Sequence, residues 1–169
     1  MKDNIILIGM MGAGKSTVGI ELSKSLTNYK LIDIDSEIEK HENMKISEIF
    51  ENFGEEHFRQ IETNFLKEIC KNNNQIIATG GGIFEREENR NILKTCGTVY
   101  YLKASAETLF NRIKNQTHRP LLKNGFGAEN IKNILSNREE NYSKADIIID
   151  TENKPLYNIV KEIIEKGKI

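Results

Sequence analysis

The stretch Gly9-Met10-Met11-Gly12-Ala13-Gly14-Lys15-Ser16 has the spacing G-x-x-x-x-G-K-[ST] of a P-loop. Each fixed position has a chemical use. Glycines let backbone N–H groups turn inward around phosphate oxygens, Lys15 reaches the β- and γ-phosphates of a nucleotide, and the Ser16 hydroxyl holds Mg²⁺. The motif needs a strand before it and a helix after it, and the flanks Ile5-Ile6-Leu7-Ile8 and Thr17-Val18-Gly19-Ile20-Glu21-Leu22 provide both. A helix opening at Lys15 and Ser16 also turns unpaired N–H groups and its positive dipole end toward an anion. The alternative is a glycine-rich turn that happens to precede a lysine, which the full spacing and both flanks disfavour.

A P-loop needs acidic help for its metal, and the usual aspartate is missing: the strand predicted at 75–79 ends in Ala78-Thr79-Gly80. Asp33-Ile34-Asp35, at the end of a strand predicted at 31–34, is the nearest source. Residues two apart on a strand share a face, so both carboxylates can enter one crevice. One could assist hydrated Mg²⁺ and the other receive a proton from an attacking hydroxyl; alternatively, either caps the next helix. Thr79-Gly80-Gly81-Gly82 reads as close backbone approach to a ligand or as a flexible turn. Taken alone, Arg59 and Arg138 read as surface helix residues paired with Glu55, Glu62 or Glu139. Phe50 and Phe58, taken alone, read as core.

The elements that must position these groups are short apolar runs alternating with segments of helical period, the pattern of a layered α/β fold with a parallel sheet. Strands are predicted at 4–8, 31–34, 75–79, 98–102 and 146–149. Val18, Leu22 and Leu26 mark the buried face of the first helix. A short helix is expected over 36–42 from Ser36, then a turn capped by Ser47 and ended by Gly54. A longer helix from Glu55 carries Phe58, Ile61, Phe65 and Ile69 on one side. Further helices are expected at 86–95, at 105–115 with Ser105 as cap, at 128–143, and after Pro155, which suits a first turn. The aperiodic stretch 116–127 reads as a mobile lid.

At 169 residues the chain suits a single domain over 1–169. Its net charge of −1 argues against nucleic acid as a partner. No run approaches the roughly 18 apolar residues that span a bilayer, so a cytoplasmic protein with no membrane partner is expected. Cys70 and Cys96 lack CxxC spacing and are expected to be buried or semi-buried free thiols. The three histidines are scattered, which leaves nucleotide-bound Mg²⁺ as the expected metal.

GTPases, motor ATPases and small-molecule kinases all carry P-loops. The sequence argues against guanine recognition through Asn-Lys-x-Asp, because the nearest stretch, Asn153-Lys154-Pro155-Leu156, has leucine in place of the aspartate. The chain resembles the shikimate kinase family over essentially its whole length. The resemblance rests on Gly9 to Thr17, Asp33-x-Asp35, Phe50, Phe53-Gly54-Glu55 leading to Phe58-Arg59 and Glu62, Gly80-Gly81-Gly82, Arg119-Pro120-Leu121-Leu122, and Arg138 with Tyr142. It implies the nucleoside monophosphate kinase-like fold, a five-stranded parallel sheet between helices with a mobile lid at 116–127. It also implies ATP-dependent phosphorylation of the 3-hydroxyl of shikimate by a chain expected to be a monomer.

The resemblance further implies roles. Gly12, Ala13, Gly14, Lys15, Ser16 and Thr17 would cradle ATP, and Asp33 would join Ser16 at Mg²⁺ through water. Asp35 would hold substrate hydroxyls and act as base. Arg59 and Arg138 would clamp the shikimate carboxylate, with Glu62 holding Arg59. Gly80, Gly81 and Gly82 would border the substrate, Gly81 through its N–H, while Phe50 and Phe58 wall the ring. Arg119 would swing in with the lid, and Arg112 with the segment up to Pro155 would stack on adenine. A gluconate kinase or a nucleotide kinase on the same fold, or a binding module without catalysis, is the rival reading.

Overall fold

Ile5-Ile6-Leu7-Ile8 offers no polar side chain to either face, a pattern suited to a strand covered on both sides. The computed structural model describes residues 3–114 and 127–169. In it these four residues form β1 (Ile5–Ile8), enclosed at the centre of a five-stranded sheet. β3 (Gln75–Ala78) pairs with one edge of β1 and β4 (Thr98–Lys103) with the other, both parallel. β2 (Lys30–Asp33) and β5 (Ile147–Asp150) complete the order β2-β3-β1-β4-β5. The connections from β1 and from β3 leave in opposite directions, which opens a crevice at the carboxyl ends of these strands. The P-loop, Asp33 and Thr79-Gly80-Gly81-Gly82 all follow strands at that end.

The helices are α1 (Lys15–Ser25), α2 (Ile34–Glu42), α3 (Ile46–Ile69), α4 (Glu87–Cys96), α5 (Ala106–Ile113), α6 (Ala128–Tyr142) and α7 (Leu156–Gly167). Val18 and Leu22 of α1, Phe58 and Leu66 of α3, Leu93 of α4, Leu109 of α5, Ile131 of α6 and Ile163 of α7 pack into the same core as the strands. Ser105 caps α5 as its sequence position suggests, accepting the Thr108 N–H at 3.2 Å.

Two helix starts differ from expectation. α2 begins at Ile34, not Ser36, because Asp33 is its cap and accepts the Ser36 N–H at 3.2 Å. α3 begins at Ile46, ahead of Ser47, because the Glu48 carboxylate reaches back to the Lys45 N–H at 2.7 Å. A charged acceptor at the positive end of a helix outcompetes a serine hydroxyl. Gly54 does interrupt α3, with φ 83° and ψ 170°.

The expectation of free thiols fails: Cys70 and Cys96 form a disulfide. Cys70 caps the carboxyl end of α3 and Cys96 closes α4, and the two helices pack side by side with these ends adjacent. Pairing across two helices leaves no local spacing signature. Among the described residues no helix is long and apolar enough to cross a membrane. The expected lid, apart from Gly127, and Arg119 within it lie outside the described residues.

Candidate active site

The nucleotide side is built where β1 meets α1. Gly12 and Gly14 have φ of 81° and 88°, left-handed values that other residues adopt only with strain. A Cβ on Gly12 would also lie 2.8 Å from the Leu109 carbonyl oxygen, so the loop is pressed against α5. Lys15 Nζ donates to the carbonyls of Gly9 at 2.8 Å and Met10 at 3.1 Å, which fixes the ammonium at the mouth of the loop. Loop residues Gly12 to Thr17 line a cavity of about 500 Å³ together with Asp33, Asp35, Thr79, Gly81 and Arg112.

Ser16 Oγ donates to Asp33 Oδ2 at 2.5 Å, while Asp33 Oδ1 serves as the cap of α2. The cap reading and the cavity reading of Asp33 are therefore both true of one carboxylate. Asp35 sits in the first turn of α2, so the period-two argument that paired it with Asp33 on a strand does not hold; the turn at Asp33 brings both to the cavity instead. A hydroxyl and a carboxylate meeting here are hard oxygen donors of the kind Mg²⁺ takes.

Arg112 spans from α5 to the turn after β5. Its Nη2 donates to the Thr151 carbonyl at 2.9 Å, and its Nη1 donates to Thr151 Oγ1 at 3.2 Å and to the Gly12 carbonyl at 3.5 Å. Pro155 is the N-terminal flank of α7, and its neighbours Lys154 and Leu156, with Ile159, line the cavity wall. Met11, Thr79 and Lys154 belong to stretches that the sequence already assigns to ligands, whereas Leu156 and Ile159 are expected there only as the inner face of the last helix.

The other side of the crevice is assembled around the glycine triplet. Gly81 lines the larger cavity, and its carbonyl accepts Arg138 Nη1 at 3.2 Å and Tyr142 Oη at 2.5 Å, so α6 holds the triplet in place. A Cβ on Gly82 would lie 2.6 Å from Arg59 Nη2, so a side chain there would displace the guanidinium. Arg59, Gly82 and Arg138 line a second cavity of about 420 Å³, with Glu55, Glu56, Glu85 and Arg86. Three arginines thus line one opening beside Gly82; Arg86 is engaged by Glu56 at 2.5 Å, which leaves Arg59 and Arg138 flanking Gly81 and Gly82.

Phe58 is 3% exposed and packs its ring 4.8 Å from that of Phe50, while the Arg59 guanidinium lies 5.3 Å from the Phe58 ring. Among the described residues the two rings line neither cavity; Phe58 lies beside the Arg59 guanidinium and Phe50 packs against Phe58. Arg59 Nη1 donates to Glu62 Oε2 at 2.6 Å, and its Nη2 donates to Glu55 Oε1 at 3.1 Å. The Arg59 ion pairs expected from helix spacing are therefore present and aim its guanidinium into the cavity, whereas Glu139 pairs with Lys103 and Arg138 donates to the Gly81 carbonyl instead. The partners respond in opposite senses. Arg59 is held more firmly charged because the two glutamates outweigh its partial burial. Glu62 is fully buried, and desolvation, helped by Asp35 but opposed by Arg59, pushes its carboxyl up to about 7.

Sequence reasoning missed Asn89. Wholly buried on α4, it donates to the Ile83 carbonyl at 3.0 Å and accepts from Thr63 Oγ1 at 2.8 Å, tying the turn after the glycine triplet to α3. A lone asparagine in a polar helix gives no signal of this in sequence.

Fold and site together define a P-loop small-molecule kinase, with a phosphate loop on one side of the crevice and an arginine-lined pocket on the other. A family model described as shikimate kinase matches residues 11–168. The shikimate kinase of Thermodesulfovibrio yellowstonii is 44% identical over 96% of this chain and 94% of its own. The structure of the Acinetobacter baumannii shikimate kinase in complex with shikimate is 35% identical and superposes with a TM-score of 0.91, covering 98% of this chain and 93% of that one. A gluconokinase from Sinorhizobium meliloti, 16% identical with a TM-score of 0.67 over 99% of this chain and 92% of that one, shares the fold alone. The chain belongs to the shikimate kinase family. It is an enzyme that transfers phosphate from ATP to the 3-hydroxyl of shikimate, giving shikimate 3-phosphate and ADP.

Proposed function

We propose that this transfer takes place across the larger cavity, with ATP on the side of Gly12 to Thr17 and shikimate on the side walled by Asp35 and the glycine triplet. The observation that carries the reading is the shared cavity: phosphate loop, Ser16–Asp33 pair, Asp35 and Gly81 all line it. Backbone N–H groups of Gly12, Ala13, Gly14 and Lys15, with the Thr17 side, would hold phosphates, and Lys15 would stabilise charge on the transferred group. Ser16 and Asp33 would hold Mg²⁺, Asp33 through water. When bound, that ion would neutralise phosphate charge.

Asp35 orients the 3-hydroxyl and accepts its proton during or after transfer. Arg59 and Arg138 grip the shikimate carboxylate, which their convergence beside Gly82 supports. Gly80 and Gly81 border the ring closely, and Phe50 and Phe58 back Arg59 from the core. Arg112, with the segment around Pro155, flanks the adenine. Arg119 belongs to the same reading as the residue that closes on the phosphates, on the strength of the family resemblance. A cytoplasmic monomer acting on small molecules completes it, in keeping with a net charge of −1.

A two-way titration of Mg²⁺ and shikimate tests the assignment. Asp35→Asn should lower kcat sharply with folding preserved, and Asp33→Asn should raise the Mg²⁺ concentration for half-maximal rate with a smaller change in the shikimate KM. Exchanged defects would reverse the roles, and unchanged kinetics in both variants would remove the two aspartates from the site.

A further inference from the structure

Glu62 has two oxygens in unlike surroundings. Oε2 receives Arg59 Nη1 at 2.6 Å, whereas Oε1 is buried and meets no hydrogen-bond donor among the described residues. That second oxygen is aimed at Gly80: a Cβ there would lie 3.0 Å from Glu62 Oε1 and 2.8 Å from Asp35 Oδ1. Two carboxylates thus converge on one glycine, one of them in the interior with half its acceptor capacity unmet. Such an arrangement favours a proton on one of them.

The groups facing Glu62 are Arg59 on its own helix, Asp35 from α2 and Arg86 at the start of α4, with Arg138 of α6 on the far side of Gly81. Of these, Arg59 does most to keep Glu62 ionised. An acceptor carboxylate arriving at Arg59 would take part of that positive charge and add a negative one close by. Glu62 is wholly buried and cannot turn to solvent, so its cheapest response is to bind a proton.

We propose that shikimate binding is coupled to proton uptake by Glu62, so that this positioning residue exchanges charge with the substrate carboxylate. The step balances simply: one proton from solvent forms an O–H bond on Oε1, and the negative charge that Glu62 gives up is replaced by that of the ligand. The inference rests on the placement of the acceptor carboxylate at Arg59 and Arg138. Burial raises this carboxyl toward neutrality, so proton uptake on binding is expected at neutral pH as a fraction of a proton per site.

Calorimetric titration of the full chain with shikimate at pH 7, in buffers of different ionisation enthalpy, reads this directly. The observed heat should depend on the buffer with the sign of proton uptake, and Glu62→Gln, which keeps the volume and an acceptor for Arg59, should bind without that dependence. Binding with no buffer dependence in the unmodified protein, or equal uptake in Glu62→Gln, overturns the coupling while leaving the acceptor site standing. Absence of shikimate binding to the unmodified protein overturns both. Should the variant fail to fold, carbon NMR of glutamate-labelled unmodified protein decides: one buried carboxyl signal must move toward its protonated position on adding shikimate, and a static set of signals overturns the proposal.

Discussion

Individual side chains here do two things at once, and their substitution separates those duties. Lys15 is buttressed by two loop carbonyls, so its charge is already in place when a nucleotide arrives. Lys15→Ala should therefore lower turnover by several orders of magnitude in a steady-state assay, because phosphoryl transfer depends mainly on positioning and charge stabilisation. Glu62 contributes to folding with a pH dependence set by its raised carboxyl. A folded-state value of about 7 lies above the ordinary glutamate range, so the native chain binds more protons than the unfolded one between those limits. The stability tied to Glu62 is then fully present below about pH 4 and declines as pH rises through 7, by about 3 kcal/mol at most. Denaturant melts at pH 5 and pH 8 should show a smaller loss in Glu62→Gln than in the unmodified protein; parallel losses would show that Glu62 is not the titrating group.

At the level of elements, the sheet was legible because its strands are short apolar runs, and each observed strand begins and ends within one residue of its expected bounds. The phosphate loop was legible for a different reason: its function lies in a contiguous stretch with a fixed spacing. The start of α2 was not, because whether Asp33 ends a strand or caps a helix depends on a backbone turn that composition does not dictate. Asp35 consequently reached the cavity by a route other than the one argued. Arg59 and Arg138 could be paired only through the family pattern, since α3 and α6 meet at the glycine triplet through tertiary packing. Asn89 is the element-level consequence of that packing. Asn89→Ala would leave the Ile83 carbonyl and the Thr63 hydroxyl without a shared buried partner, at a cost of about 2 kcal/mol. Chemical denaturation should show that loss, and the shikimate KM should rise more than kcat falls as the glycine turn loosens against α3; a variant as stable as the unmodified protein with unchanged KM would contradict this.

For the molecule as a whole, the disulfide joins the carboxyl end of α3, the helix that carries Arg59, to that of α4 across a sequence separation of 26 residues. Closing a loop of that length removes unfolded-state freedom corresponding to about 3 kcal/mol. Thermal unfolding in the presence of a reductant, and of the Cys70→Ser/Cys96→Ser double variant, should both fall below that of the oxidised chain by a similar margin; coincident melts would show that the bridge adds nothing. The acceptor is the point that most needs testing, since a gluconokinase shares the fold and the arginine-lined pocket proposed for the shikimate carboxylate is what would set this chain apart. The most direct measurement supplies the full chain with ATP and Mg²⁺ and, in separate reactions, shikimate, gluconate and nucleoside monophosphates, following ADP and identifying the phosphorylated product. ADP release is expected with shikimate alone, with shikimate 3-phosphate in equal amount; turnover only with another acceptor, or ADP formed without any phosphorylated shikimate, would contradict this.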